Sequence, residues 1–256
     1  MIFIKMFRRK WVLTTLFVLI GTAVCIRLGI WQLDRLEGRR AFNAQVISNR
    51  ALSVLDLNHD RIEDLGKMEW RPVRAVGVYD FENQVALRNQ NYLGQLGYHV
   101  ITPLLLSDTS TALSAGGRTV LVDRGWIPAD GNSLPADWRK YDEPGEVTVT
   151  GQIRLGQTKP AFGGVPDTLL ENGKRLEVWN NLNVAKMSEQ SPYPILPIFI
   201  QPKMDPTDTE PPIPYQPEVD LTEGPHFGYA IQWFTFAAIL FVGYPFYLRK
   251  QEAKSA

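Results

Sequence analysis

Side chains able to bind or transform a ligand are few and scattered. The three histidines, His59, His99 and His226, lie far apart, with no pair at the spacing that lets one helix present two of them to zinc. The only cysteine, Cys25, sits inside an apolar run, so an intramolecular disulfide is impossible and a thiolate metal site is implausible. Soft ligands are scarce elsewhere, which disfavours a copper chaperone. There is no Gly-x-Ser-x-Gly elbow, no phosphate-cradling glycine loop ending in Lys-Ser/Thr and no His-Glu-x-x-His. Adjacent acids such as Glu63 with Asp64 and Asp142 with Glu143 read as solvated surface rather than acid/base pairs. The chain is expected not to be an enzyme.

His226 stands out because Pro225-His226 opens an apolar run, where an ionisable side chain is costly without a partner. Tyr229 and Trp233 follow three and seven residues on, sharing its helical face, and Ala230 leaves a small gap beside them. That pattern could hold a planar aromatic ligand against the imidazole, and a neutral imidazole is a competent axial ligand for haem iron. The competing reading is an interfacial histidine bonded to water or backbone within an ordinary aromatic belt. Trp31-Gln32-Leu33-Asp34-Arg35 ends an earlier apolar run, and Gln32 and Arg35 face one side, in reach of His226 or a lipid phosphate. Arg124-Gly125-Trp126-Ile127-Pro128 reads either as a docking surface offered by Arg124 and Trp126 or as a strand-ending turn with a packed Trp.

Two apolar runs must position these residues. Trp11 to Ile26 is uncharged, and continuing to Trp31 gives enough residues to cross the hydrocarbon core as a helix. A basic segment precedes it, but no small-x-small cleavage site follows, so a retained anchor is expected rather than a signal peptide. Phe227 to Leu248 is the stronger candidate. Lys5, Arg8, Arg9 and Lys10 precede the first run, while Arg249, Lys250 and Lys254 follow the second; both termini should be cytoplasmic. Gly21, Cys25 and Gly29 form a stripe of small residues, open to the second helix or to a partner's membrane helix, unless their spacing is chance.

Between the runs, a polar helical stretch from Asp34 to about Arg50 gives way to period-two patterning. It is clearest over Glu146 to Leu155, where Val147, Val149, Gly151 and Ile153 alternate with polar residues. Strands are also expected over Pro72 to Tyr79, Gln84 to Arg88, Tyr98 to Leu106, Thr119 to Asp123, Leu176 to Trp179 and Pro197 to Gln201, with a hairpin through Asn89 to Gly97. The fold class is thus membrane α+β: two transmembrane helices flanking an antiparallel, β-rich, barrel-like extracytoplasmic domain. The expected layout is a cytoplasmic N-terminus (1–10), helix (11–31), β-rich domain (32–202), Pro-rich linker (203–225), helix (226–248) and cytoplasmic C-terminus (249–256). Lys plus Arg balances Asp plus Glu, 27 against 27, which argues against nucleic acid as a partner.

Five blocks in order resemble the surfeit-locus (SURF1-type) family of cytochrome c oxidase assembly factors. They are Gly29, Trp31, Gln32 and Arg35; Trp70-Arg71-Pro72-Val73 with Gly77 and Tyr79; Gly97-Tyr98-His99-Val100 leading to Thr102-Pro103-Leu104; Val120 to Pro128; and His226, Tyr229, Ala230, Trp233 and Phe234. The resemblance implies a role in maturing the haem-copper oxidase catalytic subunit and assisting haem a insertion. By the same resemblance His226 is the haem-associated histidine; Tyr229, Trp233, Trp31, Gln32 and Arg35 are expected, from their places beside it, around a transient haem a. Many members carry Asn two residues before that histidine, where this chain has Gly224. Expected partners are the oxidase catalytic subunit, haem a synthase and membrane lipid. The short basic N-terminus favours a bacterial plasma membrane over a mitochondrial precursor. The alternative is a membrane-anchored docking scaffold that binds the oxidase and no haem.

Overall fold

The computed structural model describes residues 6–62, 64–107, 118–160, 163–168, 174–204, 207, 209–215 and 218–254. They form two compact units: Met1–Gln45 with Val219–Ala256, and Val46–Glu218.

The first unit is a helix pair. Helix α1 (Val12–Arg50) is a single helix through both the apolar run and the polar stretch after it. No proline interrupts the sequence before Pro72, so nothing breaks the hydrogen-bond ladder where polarity changes. Helix α4 (His226–Lys254) starts directly after Pro225 and tolerates Pro245 in its interior. The residues of α1 buried within this unit, Thr15, Thr22, Cys25, Gly29, Gln32, Leu36 and Asn43, repeat at intervals of seven, three and four. On α4, Ala230, Ala237 and Tyr244 recur every seven. This is the heptad seam of two helices packed side by side. The pair is antiparallel: Trp11 Nε1 donates to Glu252 Oε1 at 3.0 Å, and Thr15 and Tyr244 share a hydrogen bond of 2.7 Å. Of the partners open to the small-residue stripe, it is the chain's own second helix that packs there: an added Cβ at Gly21 would lie 3.5 Å from Leu240.

The second unit is a closed mixed sheet. Its strands are β1 (Leu55–Asp56), β2 (Pro72–Tyr79), β3 (Val85–Tyr92), β4 (Gln95–Leu106), β5 (Thr119–Pro128), β6 (Glu146–Arg154), β7 (Val178–Trp179) and β8 (Ile195–Pro202). The ring runs β2-β6-β8-β5-β4 and closes through β2–β4 pairing at Gly77 to Tyr79. β1 extends β2, while β3 and β7 extend β4. Inward residues such as Val73, Leu104, Val122, Val149, Ile153 and Ile200 fill the ring. A second apolar layer lies outside it, where Val85, Ile101, Leu121 and Phe199 are covered by Trp179 and by Met187 of the short helix α3 (Val184–Glu189). A further short helix, α2, is one turn at Pro135–Trp138.

Several expectations are corrected in detail. The sheet is barrel-like but not wholly antiparallel, because β1–β2, β3–β7 and β5–β8 pair in parallel. The hairpin strands run to Tyr92 and Gln95, so its turn is two residues rather than the whole Asn89 to Gly97 segment. β5 does not end at Asp123: Arg124 is an extra residue in a bulge, since Val100 opposes Gly125 while Ile101 opposes Asp123. Gly125, at φ +123°, supplies the backbone angle that lets the strand resume. Part of the Pro-rich segment belongs to the barrel, where Ile213 bridges Trp126 with N–H···O distances of 2.7 and 2.9 Å.

Candidate functional site

The site in the helix pair is built around the first residue of α4. His226 Nδ1 lies 2.9 Å from Oε1 of Gln32, a residue buried on the α1 seam. A carbonyl oxygen only accepts, so Nδ1 carries the hydrogen, and Nε2 is the nitrogen left with a lone pair in the neutral ring. One helical turn along α1, a Cβ on Gly29 would lie 2.6 Å from Phe234 Cε1, so any larger residue there would force the Phe234 ring to move. On α4, Ala230 is buried on the face toward α1. Thus two small residues set the spacing at which glutamine spans the gap to histidine.

The segment leading into α4 is held by the polar part of α1. Arg40 donates through Nε and Nη2 to the two carboxylate oxygens of Glu223 at 2.8 and 2.9 Å. Arg39 donates to the carbonyls of Thr222 and Asp220, and Asn43 donates to the carbonyl of Leu221. Hydrogen bonding and charge from Arg40 hold the Glu223 carboxyl below its ordinary value, and Thr222 does the same for Asp220. Arg40, Glu223 and Asp220 are exposed and Arg39 is half-buried, so each pair adds little stability. Together they fix where the helix begins. Gly224, at φ +68°, makes the turn before His226.

Of the six residues assigned to this site, Gln32 and His226 are brought together. Trp233 is half-buried, edge-on to Phe236 at 6.0 Å. Trp31 and Tyr229 are 45% and 49% exposed, and Arg35 is exposed too. At 100° per residue, Tyr229 falls to one flank of the line through His226, and Trp31 turns away from Gln32. Both rings border the outward surface of the pair rather than its seam.

Arg124 and Trp126 are placed differently from a docking surface. Their side chains are buried, at 5% and 3% exposure. The Arg124 guanidinium lies over the rings of Tyr79 and Phe81 at 5.1 and 5.2 Å and donates to Tyr141 O and Glu143 Oε1. Trp126 packs against Tyr92, with ring centroids 5.3 Å apart. The physical cause is the bulge, which keeps this block in a strand and turns both side chains inward instead of releasing them in a terminal turn.

A polar pair not anticipated from the sequence lies in the barrel unit. His99 on β4 and Asp123 on β5 are buried and joined through Nδ1 at 2.9 and 3.0 Å to the two carboxylate oxygens. They line a cavity of about 240 Å³ with Arg154, Asn180 and Asn181. Arg154 stacks 3.6 Å from the Trp70 ring, and burial lowers its pKa. The available signal was parity: His99 falls on the face of Ile101 and Asp123 on that of Leu121, beneath the outer apolar layer. Among the described residues, no group of three or more His, Cys, Asp or Glu side chains is placed to hold a metal ion.

The family model of the SURF1 family matches residues 19–238. The chain belongs to the SURF1 family. Among SURF1 relatives, Surfeit locus protein 1 of Arabidopsis thaliana is 22% identical, the match covering 92% of this chain and 77% of that protein. A SURF1-like protein of Rickettsia bellii is 24% identical, over 94% of this chain and 93% of its own length. An uncharacterized SURF1-like protein of Mycobacterium bovis is 25% identical, over 92% and 82%. The matched segment of this SURF1 chain runs from Leu19 within α1 to Ala238 within α4 and takes in the whole barrel unit, so Gln32 and His226 both lie inside it.

Proposed function

We propose that this protein is a non-enzymatic assembly factor for a haem-copper (cytochrome c) oxidase, holding haem a through His226 on its way to the catalytic subunit. The observation that carries the reading is the Gln32–His226 hydrogen bond across the helix pair. A histidine that ligates a metal characteristically donates its other N–H to a fixed acceptor, which sets ring orientation and tautomer. Here Gln32 is that acceptor, and Nε2 lies on the side of Gly224, whose missing side chain leaves room. Bound haem would contribute a planar apolar macrocycle with an iron open to axial ligation. The half-exposed Tyr229, Trp233 and Trp31 supply apolar and aromatic surface beside it. A single neutral imidazole binds weakly enough to release its cargo.

The helices of 39 and 29 residues are each long enough for the roughly 30 Å hydrocarbon core. Both flank the barrel unit in sequence, and the cations at 8–10 and 249–250 support a reading in which both termini face the cytoplasm of a bacterial cell and the barrel unit is extracytoplasmic. Protein purified in detergent from cells that make haem a should carry its absorption bands, and His226→Ala should lose them. Bands that persist unchanged in that variant would refute the ligand assignment. Oxidase co-purification that survives the loss would instead favour a scaffold that binds no haem.

A further inference from the structure

The hairpin joining β3 to β4 ends in a two-residue turn, Leu93 (φ +48°) and Gly94 (φ +84°), between paired Tyr92 and Gln95. Such a turn favours Asn, Asp or Gly at its first position, so leucine is conformationally costly there. It is costly in solvation too: Leu93 is 85% exposed and Leu96 is 66% exposed. The tip is nevertheless well held. Asn91 Oδ1 accepts the Gly94 N–H at 3.0 Å, and the Tyr92 ring packs against Trp126 and Tyr215, at 5.3 and 5.0 Å. From Asn89 to Ser107 the chain carries no Asp, Glu, Lys or Arg.

We propose that Leu93 and Leu96 insert into the interfacial region of the lipid bilayer that anchors the chain. The inference rests on the membrane-spanning reading above. Three observations favour lipid over a protein partner. A stable protein interface needs roughly 800 Å² from each side, more than two leucines on a turn provide. The uncharged tip of the hairpin, from Asn89 onward, enters a low-dielectric region without desolvating a full charge, and its Asn and Gln side chains suit the headgroup layer. Finally, the barrel unit lies between two membrane-length helices in sequence, so the bilayer is present at high effective concentration and modest insertion energy suffices.

The test uses the full chain in phosphatidylcholine–phosphatidylglycerol vesicles, with Cys25→Ala removing the native thiol. An environment-sensitive fluorophore is attached at Leu93→Cys, at Ile239→Cys on the outward face of α4, or at Glu146→Cys, where Glu146 bonds Ser107 just past the end of β4 remote from the tip. Spin-labelled lipids should quench positions 93 and 239 several-fold more than position 146, with blue-shifted emission at 93. Quenching at 93 no greater than at 146, while 239 is quenched, overturns the proposal alone. If 239 is also unquenched, the spanning reading falls and the proposal with it. A blue shift at 93 that requires added oxidase would make the partner a protein and overturn the lipid assignment.

Discussion

Replacing Gln32 by leucine removes one acceptor while keeping the volume of a side chain that is 9% exposed. The lost hydrogen bond, 2.9 Å long, carries a net stabilisation of about 1 kcal/mol, and the half-buried N–H left without its partner costs about 1–3 kcal/mol unless the ring turns away. Either response moves Nε2 from its set direction. Loss of an outer-shell partner typically weakens metal ligation about 10–100-fold. Haem titration of the detergent-purified full chain, followed by absorbance, should therefore show that loss for Gln32→Leu. Gln32→Glu keeps an acceptor at the same reach and should recover most of the affinity, which a merely space-filling role for Gln32 would not predict. Thermal unfolding of the three proteins separates a shift in ligation from general instability. Equal haem affinity in wild type and Gln32→Leu would refute the positioning argument; so would equal losses in Gln32→Leu and Gln32→Glu, since the retained acceptor would then make no difference.

Trp126→Ala empties a site that is 3% exposed and should cost about 3–5 kcal/mol in denaturant titrations, with oxidase association falling only as far as folding does. Association lost at unchanged stability would restore Trp126 as a docking residue. Acid should destabilise the barrel unit through Asp80 and Asp167. Burial raises both carboxyls, but hydrogen bonds outweigh it, from Tyr193 and Asn83 for Asp80 and from Asn180 and Asn181 for Asp167, leaving both below the ordinary value. Because the native values lie below the unfolded ones, this stabilisation is complete above about pH 4 and is lost as pH falls through the native values. Urea midpoints should drop in that window and drop less in Asp80→Asn and Asp167→Asn; identical acid profiles for the variants and the wild type would contradict the argument.

Local pattern carried much of the architecture. Pro72 to Tyr79 and Glu146 to Arg154 are strands where period-two alternation put them, because a half-buried sheet imposes that period on each strand separately. Both membrane-length helices were legible for a similar reason, as apolar runs of the required length are a property of contiguous residues. Strand partners were not, since a closed ring with parallel pairs depends on segments far apart in sequence, and alternation says which face is buried but not against what.

The site divides along the same line. His226 could be singled out from its place at the mouth of an apolar run, and Gln32 from facing the right side of the other helix. That they meet at 2.9 Å, while Trp31 and Tyr229 turn outward, follows from the helix seam and from the glycine at position 29 that sets its spacing. Arg124 and Trp126 suggested a surface because Gly125 and Pro128 resemble a strand end; the bulge that carries the strand onward is a pairing property, and it buries both. His99 and Asp123, 24 residues apart, looked unrelated until adjacent strands placed them in contact. The sequence by itself determined which stretches are helical, which alternate and which side chains have ligand chemistry, because those follow from neighbours along the chain. Only the tertiary structure decided which of those side chains touch, because contact depends on register between elements, and a shift of one residue would exchange buried for exposed.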